Sequence, residues 1–546
     1  MSTHPDTPLL LGEISPDSPE LQRLRQCSEA EIPAILASLK RPFALALQTQ
    51  AGQLLAVDRF AVQTLCWRQR GDRLETAEQA SALGHADEID TQAIYDYLYF
   101  HCIPSPRTIY REVFRLPPGH YALMSQGRVQ VRPYELARFE PDASTRFEPA
   151  RERFRQLLQD AVGRELDGSK PACFLSGGTD SSTVAGMIGR ASGRRAASYS
   201  IGFEAEGYDE MAFARIAAKH FDTEHHEYYV TPADLVASIP QVAAHYDQPF
   251  GNSSALPAYY CAKMAREDGV SKLLAGDGGD ELFGGNARYA KQRVFGWYQS
   301  VPGALRRGLL EPVLDTPWAA RTPLLKKGSS YIEQARVPMP KRLQMYNLLL
   351  RLGPDEVLTP ALRARIEAQA PGAHQQAVWD AVPAASELNR TLAFDWRYTL
   401  AESDLPKVRE TTRLAGVGVG FPMLDQGLLA FSETLPDAYK LKGLKLRWFF
   451  KEALRGFLPD EILVKKKQGF GLPFGHWALR HAPLMDLARG SVEQLAQRGV
   501  LNPRFVQKLF TELLPAYPGY YGEMVWISMM LEQWLQAHAP GFRVAD

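Results

Sequence analysis

Cysteine is scarce in this 546-residue chain: the five residues Cys27, Cys66, Cys102, Cys173 and Cys261 are widely spaced and odd in number. That argues against a zinc framework or a full disulfide set, and buried thiols in a reducing cytosol are the simplest reading. An excess of charge of either sign is also missing. Lysine plus arginine equals aspartate plus glutamate at 62 each, so there is no basic field for nucleic acid. No run approaches the roughly 18 consecutive apolar residues of a membrane span. The leader Met1-Ser-Thr-His-Pro-Asp lacks the charged and apolar regions of a secretion signal, which makes the cytoplasm the expected compartment. Internal repeats and low-complexity segments are absent too. What is present is a soluble globular composition, 45% hydrophobic and 23% charged, over a length sufficient for two or three cores.

The most informative segment is Pro171-Ala-Cys-Phe-Leu-Ser-Gly-Gly-Thr-Asp-Ser-Ser182, in which an apolar strand enters a small-residue loop and then a helix. At Ser176, Gly177 and Gly178 little side chain stands in the way, so backbone N–H groups can converge on the oxygens of a pyrophosphate. The positive end of the helix beginning near Ser181 assists them. Asp180 cannot bind phosphate directly and is better placed to hold the accompanying Mg²⁺. The loop lacks the Gly-Lys-Ser/Thr ending of a Walker A motif and the three-glycine Rossmann spacing. It resembles instead the PP-loop of ATP pyrophosphatases, which cleave ATP between its α and β phosphates. Ser271-Lys-Leu-Leu-Ala275 reads as a second short buried strand, followed at once by Gly276-Asp-Gly-Gly-Asp-Glu-Leu-Phe-Gly-Gly285. Ligands of α/β sheets bind at such carboxyl ends. Three acids among five glycines call for a cation or a hydrogen-bonding loop, which makes Asp280 the natural partner of Asp180 on magnesium and turns Asp277 to the reacting end. The calcium-loop ligand spacing is absent.

In this order, both after strands, the two motifs resemble the synthetase domain of the asparagine synthetase family, over roughly Phe147 to Trp477. The likeness extends to Ser198-Tyr-Ser-Ile-Gly-Phe203 with Tyr208-Asp-Glu210, to Thr223-Glu-His-His-Glu227, and to Tyr246-Asp-Gln-Pro-Phe-Gly-Asn-Ser-Ser-Ala-Leu-Pro257, where Gln248 replaces Glu. Lys407-Val408, Phe421-Pro-Met-Leu-Asp425 and Lys465-Lys-Lys-Gln-Gly-Phe-Gly-Leu-Pro473 add to it. The resemblance implies that ATP is held by Leu175, Ser176, Gly177, Gly178, Asp180, Ser181, Ser182, Ile201, Gly276 and Asp277. It further implies that Asp180 and Asp280 ligate Mg²⁺ and that Asp277 and Lys467 are catalytic. The implied reaction adenylates a carboxylate with loss of pyrophosphate, after which ammonia or an amine attacks and an amide forms. Charge on the departing phosphates would be stabilised by the backbone cradle, magnesium and Lys467. Lys465 and Lys466 read as a solvated basic turn, and His225 and His226 as structural. Holding adenylate and amine together supplies much of the rate, so no covalent enzyme intermediate is needed.

The amino-terminal region departs from the family. Pro42-Phe-Ala-Leu-Ala-Leu47, Gln53-Leu-Leu-Ala-Val-Asp-Arg-Phe60 and Arg115-Leu-Pro-Pro-Gly-His-Tyr121 resemble later strands and the exit of its glutaminase domain. Glutamine-dependent members, however, begin with Met-Cys, and here the second residue is Ser2. No Arg-Gly-Pro-Asp segment follows, and Gly12-Glu-Ile14 is only a fragment of Asn-Gly-Glu-Ile. The expectation is a smaller, degenerate Ntn-hydrolase-like α+β domain over residues 1–140, without glutaminase activity. A second departure lies between Lys407 and Asp425, where Arg409-Glu410, Thr411-Thr412, Gly418 and Gly420 stand in place of the family's charged and Ser-Met positions. Losing a Glu and an Arg on the substrate side leaves the acyl acceptor open. Alternatives are a specialised cyclase or amide synthetase resembling β-lactam synthetases or lasso-peptide cyclases, and a catalytically silent assembly subunit. The expected partners are a small-molecule or peptide carboxylate and an amine or ammonia donor, with a homodimer or an amine-supplying protein as candidate assemblies.

Residues 141–546 are expected to form the ATP-binding domain, beginning after the polar stretch Pro141-Asp-Ala-Ser-Thr-Arg-Phe-Glu-Pro149 with a helix over Ala150–Val162. Strands near 172–175, 197–203, 226–230 and 271–275 alternate with helical segments such as Met211–Phe221 and Leu235–His245. This predicts an α/β fold: a parallel-sheet PP-loop domain, adenine nucleotide α-hydrolase-like, with helices on both faces and a helical extension from Val294 to Leu400. Lys445–Phe457 is predicted as one amphipathic helix burying Leu446, Phe449, Phe450, Ala453, Leu454 and Phe457.

Overall fold

The computed structural model describes residues 8–205, 207–300, 302, 305, 331–383, 386–465 and 471–544. Ser2, Lys466 and Lys467, and most of the stretch between 301 and 330, lie outside the described residues.

The chain opens with β1 (Leu9–Gly12), α1 (Pro19–Gln26), α2 (Ile32–Ser38), β2 (Phe43–Thr49), β3 (Gly52–Val57), β4 (Cys66–Arg70) and β5 (Arg73–Ala77). It continues through α3 (Thr91–Phe100), β6 (Phe114–Arg115), β7 (His120–Ser125) and β8 (Arg128–Pro133). Two antiparallel sheets result, ordered β1-β2-β3-β7-β8 and β5-β4-β6. The apolar run Phe43–Leu47 is buried on both faces because successive side chains alternate across a strand. Phe43, Leu45 and Leu47 pack with Leu24 of α1 and Ile35 of α2, whereas Ala44 and Ala46 pack with Leu65, Trp67 and Leu74.

Next come α4 (Phe147–Glu165), β9 (Ala172–Phe174), α5 (Thr179–Ser192), β10 (Ala197–Phe203), α6 (Met211–His220) and β11 (Glu224–Val230). After α7 (Pro232–His245) and α8 (Ala255–Glu267), β12 (Lys272–Leu274) leads into the short α9 (Gly279–Phe283). With β13 (Gly418–Gly420) these strands form one five-stranded sheet, ordered β11-β10-β9-β12-β13 and parallel throughout. Both faces are covered, as near-continuous apolar strands require. Ala172 and Leu273 join one core with Leu235 of α7 and Leu256 of α8, while Cys173 and Leu274 join the other with Phe154 of α4 and Val184 of α5. The chain builds outward from β9 to β11 and then starts the opposite side at β12. The strand order therefore reverses between β9 and β12, and such a reversal opens a crevice at the carboxyl ends of the strands.

Three details differ from the sequence expectations. β13 was not anticipated, because Gly418 and Gly420 weigh against a strand. It forms by pairing along the edge of β12, with Gly418 N–H donating to Ser271 O at 2.8 Å and Ala275 N–H to Gly420 O at 2.9 Å. The segment predicted as one helix over 445–457 instead begins as a hairpin strand. β14 (Leu441–Lys442) pairs with β15 (Lys445–Leu446), Arg447 turns at φ 51°, and only then does a helix start at Trp448 and run to Ala453. Phe449, Phe450, Ala453, Leu454 and Phe457 are buried as expected, but Leu446 is half-buried. Finally, the stretch read as lying on the substrate side also reaches the amino-terminal sheets' half: Arg409 Nη1 donates to Val62 O at 2.6 Å, and Arg413 pairs with Glu78 at 2.6 Å. At Gly420 a Cβ would lie 2.4 Å from Glu165 Oε2, a carboxylate paired with Lys272 at 2.7 Å.

The described part of the helical extension carries helices at Ala287–Ser300, Ala370–Ala381 and Glu387–Asp395. The last of these continues through a wide-turned π-helical stretch, Trp396–Asp404, into Leu405–Ala415. The two halves of the molecule meet along this rod and along Tyr246–Phe250. Asp247 accepts from the N–H groups of Ala80 at 2.7 Å and Ser81 at 3.0 Å, and Gln248 Oε1 accepts from Ile109 N–H at 3.0 Å. Glu402 is buried and accepts from Ser105 Oγ at 2.7 Å, from Ser105 N–H at 3.1 Å, and from Arg115 and Arg397.

Lys440 is buried beneath the segment linking the halves, its Nζ donating to Asn389 Oδ1 at 2.9 Å and lying 4.5 Å from the centre of the Phe139 ring. Burial pushes its pKa down to about 7, against the pull of Asp437 and Glu433. The folded value lies below the ordinary 10.5, so unfolding takes up a proton in that window and stability rises as pH climbs from about 7 toward 10.5. Any stability advantage of Lys440→Met over the parent is expected to shrink across the window, at up to about 1.4 kcal/mol per pH unit. Denaturant unfolding of both proteins at pH 7 and pH 10 measures it, and a pH-independent difference would contradict the assignment.

Candidate active site

Both glycine-rich turns leave the sheet at the switch point. After β9, Leu175 is still strand-bonded, its N–H donating to Tyr199 O at 2.9 Å. Gly177 then turns at φ +68°, and a Cβ there would lie 2.4 Å from Ala214 N and 2.5 Å from Phe213 C, so only glycine lets the loop press against α6. Ser176 N–H donates to Ser181 Oγ at 3.1 Å and Gly178 N–H to Ser176 Oγ at 3.3 Å, which folds the turn back on itself. No side chain caps the start of α5, so its first N–H groups suit an anion. Ser181 and Ser182 are buried in that first turn, and Ser182 Oγ has no hydrogen-bond partner. Ile201 is buried in the carboxyl half of β10, at the same end of the sheet.

After β12, Gly276 lies against the first turn: a Cβ there would stand 2.9 Å from Ser181 N. Beyond it, Asp180 and Asp280 converge on one guanidinium. Arg447 Nη1 donates to Asp180 Oδ2 at 2.6 Å, to Asp280 Oδ1 at 2.8 Å and to Thr179 Oγ1 at 3.0 Å, while Nη2 donates to Asp180 Oδ1. The arginine side chain is only 4% exposed and its guanidinium lies 3.9 Å from the centre of the Phe450 ring. Gly279 and Gly285 make this approach possible, since a Cβ at Gly279 would stand 2.0 Å from Asp180 Oδ1 and one at Gly285 1.7 Å from Asp280 Oδ1. Sequence reasoning missed Arg447; the available signal was a charge set within an otherwise apolar stripe. The donor set suits magnesium: two carboxylates from separate turns already accept one shared cation, and Mg²⁺ is usually held by one or two carboxylates plus phosphates. Among the described residues there is no cluster of three metal-ligating side chains, so a cage built by protein alone is not formed there.

Asp277 faces Lys407, whose Nζ lies 3.4 Å from Asp277 Oδ1 and 2.9 Å from Asp404 Oδ1. Burial pushes the Asp277 carboxyl above the usual carboxylate range, against the pull of Lys407. For Lys407 burial works downward, but Asp404 and Asp277 outweigh it and hold the ammonium above its ordinary value. Beside them Glu281 is pushed up to about 8 by burial and by Asp404, Asp395 and Asp180. Lys407 had been noted only as a motif match, and Asp404 and Glu281 had been given no role of their own.

Lys465 corrects the expectation of a solvated basic turn. Its side chain is 8% exposed, and its Nζ lies 2.8 Å from Glu210 Oε1, 3.4 Å from Gly177 O and 4.6 Å from the centre of the Phe213 ring. Glu210 and Phe213, at the start of α6, bring it to the phosphate turn. His225 and His226 lie on β11, where His225 Nδ1 is 2.9 Å from Ser198 Oγ and His226 stacks on Tyr199 with ring centres 4.9 Å apart.

The family model described as asparagine synthase matches residues 153–536, more than half of the chain. The chain belongs to the asparagine synthase family. A second model, described as a glutamine amidotransferase domain, matches residues 25–135, which hold most of the two antiparallel sheets. The fold is thus an asparagine synthetase-like ligase domain on a five-stranded parallel sheet, preceded by an antiparallel-sheet amidotransferase domain. Similar curated proteins include glutamine-hydrolyzing asparagine synthetase 1 of Bacillus subtilis, 25% identical over 432 residues, covering 77% of this chain and 66% of that protein. A putative glutamine-hydrolyzing asparagine synthetase of Mycobacterium bovis is 26% identical over 476 residues, covering 84% of this chain and 71% of its own length. The second putative enzyme of this kind in Methanocaldococcus jannaschii is 34% identical over 227 residues, 40% of this chain and 43% of that one. The matches thus span about two thirds of the first two relatives and less than half of the third.

Within this asparagine synthase fold, Gly285→Ala is expected to drive Asp280 off Arg447 and lower stability by about 1.5–3 kcal/mol, the worth of a hydrogen bond to a charged group. Gly189→Ala, in α5 with nothing within 4 Å of the added carbon, is the control and should lose no stability. Denaturant unfolding reads both, and equal stabilities in the two variants would contradict the role given to Gly285.

Proposed function

We propose that this chain is an ATP-dependent amide ligase that attaches AMP to a carboxylate, releases pyrophosphate, and lets ammonia or an amine displace AMP. The observation that carries the reading is the meeting of the Ser176–Ser182 and Gly276–Gly285 turns at the sheet's switch point, with Asp180 and Asp280 near enough to share one cation. In this reading residues 1–140 form the amidotransferase-like part and 141–546 the ligase.

The uncapped start of α5 and the backbone of Ser176–Gly178 receive the β and γ phosphates, the Ser176 and Gly178 N–H groups exchanging their bonds to Ser181 Oγ and Ser176 Oγ for phosphate oxygens. Leu175, Ser181, Ser182, Ile201 and Gly276 border the nucleotide. Lys465, together with Lys467 from the same loop, offsets the negative charge of the leaving pyrophosphate. Mg²⁺, held by Asp180 and Asp280, would neutralise phosphate charge when bound. Asp277 takes up at Oδ1 or Oδ2 the proton shed by the attacking nitrogen as the new C–N bond forms and the bond to AMP breaks. Its burial makes it a stronger base than a solvated carboxylate, and the nearby Lys407 ammonium favours its ionised form.

The amidotransferase domain is read as supplying no ammonia through the cysteines it contains. Cys27, Cys66 and Cys102 are all buried; burial pushes Cys102 up to about 12 and raises the other two. Thiols held protonated are poor nucleophiles at neutral pH. The relatives' names make aspartate the first carboxylate to test.

Pyrophosphate release over a panel of carboxylates, with ammonium and small amines as nitrogen donors, tests the ligase reading. Asp180→Ala is expected to lower the rate at least about a hundredfold, and release that survives this change would remove Asp180 from its role. With glutamine as the sole nitrogen source no glutamate should form; glutamate appearing in step with pyrophosphate would reverse the reading of the amino-terminal domain.

A further inference from the structure

Arg447 is the residue that the ligase chemistry alone does not call for. It adopts a left-handed backbone, φ 51°, between the hairpin and the helix Trp448–Ala453, a conformation unfavourable for a side chain of its kind. That turn aims the guanidinium between two acids that lie 267 and 167 residues away in sequence. The fork takes both oxygens of Asp180 and one of Asp280, and the flanking glycines 279 and 285 leave the carboxylates room to reach it. The arrangement is therefore built from three separate segments and not an accident of one flexible side chain.

Charge decides what such an arrangement does. Two carboxylates and one guanidinium sum to a single negative charge, and both oxygens of Asp180 and one of Asp280 are already bonded to a cation. A metal ion arriving alone must displace or sit beside a like charge in a largely buried site. The phosphates of ATP change that balance. They bring negative charge that both cations can share, and the planar fork of arginine fits phosphate oxygens as well as it fits a carboxylate. Arg447 Nε is buried with no hydrogen-bond partner, so the acids and Thr179 do not use all the donors of the guanidinium, which makes it easier to draw away.

Resting on the ligase reading above, we propose that Arg447 is a resident counter-cation that keeps Asp180 and Asp280 assembled and closed to free divalent metal, so that metal enters only with the nucleotide whose phosphates draw the guanidinium aside. Arg447 is thus a positioning residue that sets the order of binding.

Mn²⁺ serves as the probe, followed by its electron paramagnetic resonance signal on the full chain, with and without α,β-methylene-ATP. The parent protein is expected to bind Mn²⁺ weakly alone and at least tenfold more tightly with the analogue. Arg447→Gln should bind Mn²⁺ at least tenfold more tightly than the parent without nucleotide, and adding Asp180→Asn should abolish that gain. Arg447→Lys, whose single ammonium cannot fork across both acids, should fall between the two and stands in should the glutamine variant not fold. Equal nucleotide-free Mn²⁺ affinity in the parent and the Arg447 variants, with analogue-dependent binding intact, would overturn the proposal and leave the ligase reading standing. A parent protein that binds neither the analogue nor Mn²⁺ with it would overturn both.

Discussion

Asp180 and Asp280 repel one another, yet they sit on either side of one buried guanidinium, and much of the surrounding architecture follows from what that placement requires. The acids can come together only where two turns leave neighbouring strands, which needs β9 and β12 adjacent in the sheet although about a hundred residues separate them in sequence. They can come close only if the turns carry no Cβ at 279 and 285. The arginine between them needs a backbone turned out of helix, which is supplied by the hairpin ahead of it. Strand order, glycine placement and the broken helix thus answer one electrostatic demand.

Much of this was legible in the sequence because the signals were local. Short apolar runs leading into glycine-rich turns mark β9 and β12, and those two turns place Asp180, Asp277 and Asp280 at one end of a sheet. What the sequence concealed was tertiary. Arg447 lies on a segment whose apolar spacing reads as continuous helix, and nothing nearby in the chain announces partners so remote. Lys465 sits in a run of three lysines and reads as solvated, because Glu210 and Phe213, which bury it, come from α6. β13 was hidden by its glycines and exists by virtue of the edge it completes.

The departures between Arg409 and Gly420 also take on a different meaning in three dimensions. Arg409 and Arg413 reach Val62 and Glu78, so this stretch joins the two halves of the molecule, while Gly420 leaves room for the Glu165–Lys272 pair within the second half. Asp247 and Gln248 do the same from the other side, bonding the backbone at Ala80, Ser81 and Ile109. An amide oxygen can accept that last bond as a carboxylate would, so glutamine at 248 keeps this contact between the halves.

The rod running from Glu387 through the π-helical stretch to Ala415 carries Glu402 on one turn and Lys407 on the next. Glu402 is anchored in the amino-terminal half through Ser105 and Arg115, and Lys407 touches Asp277. Trimming the first domain away would strand a buried carboxylate with Arg397 as a cationic neighbour, five residues along the rod from Lys407, which touches Asp277. A shift of the rod there would be felt at Asp277, so the amino-terminal half acts as a keel for the turn after β12.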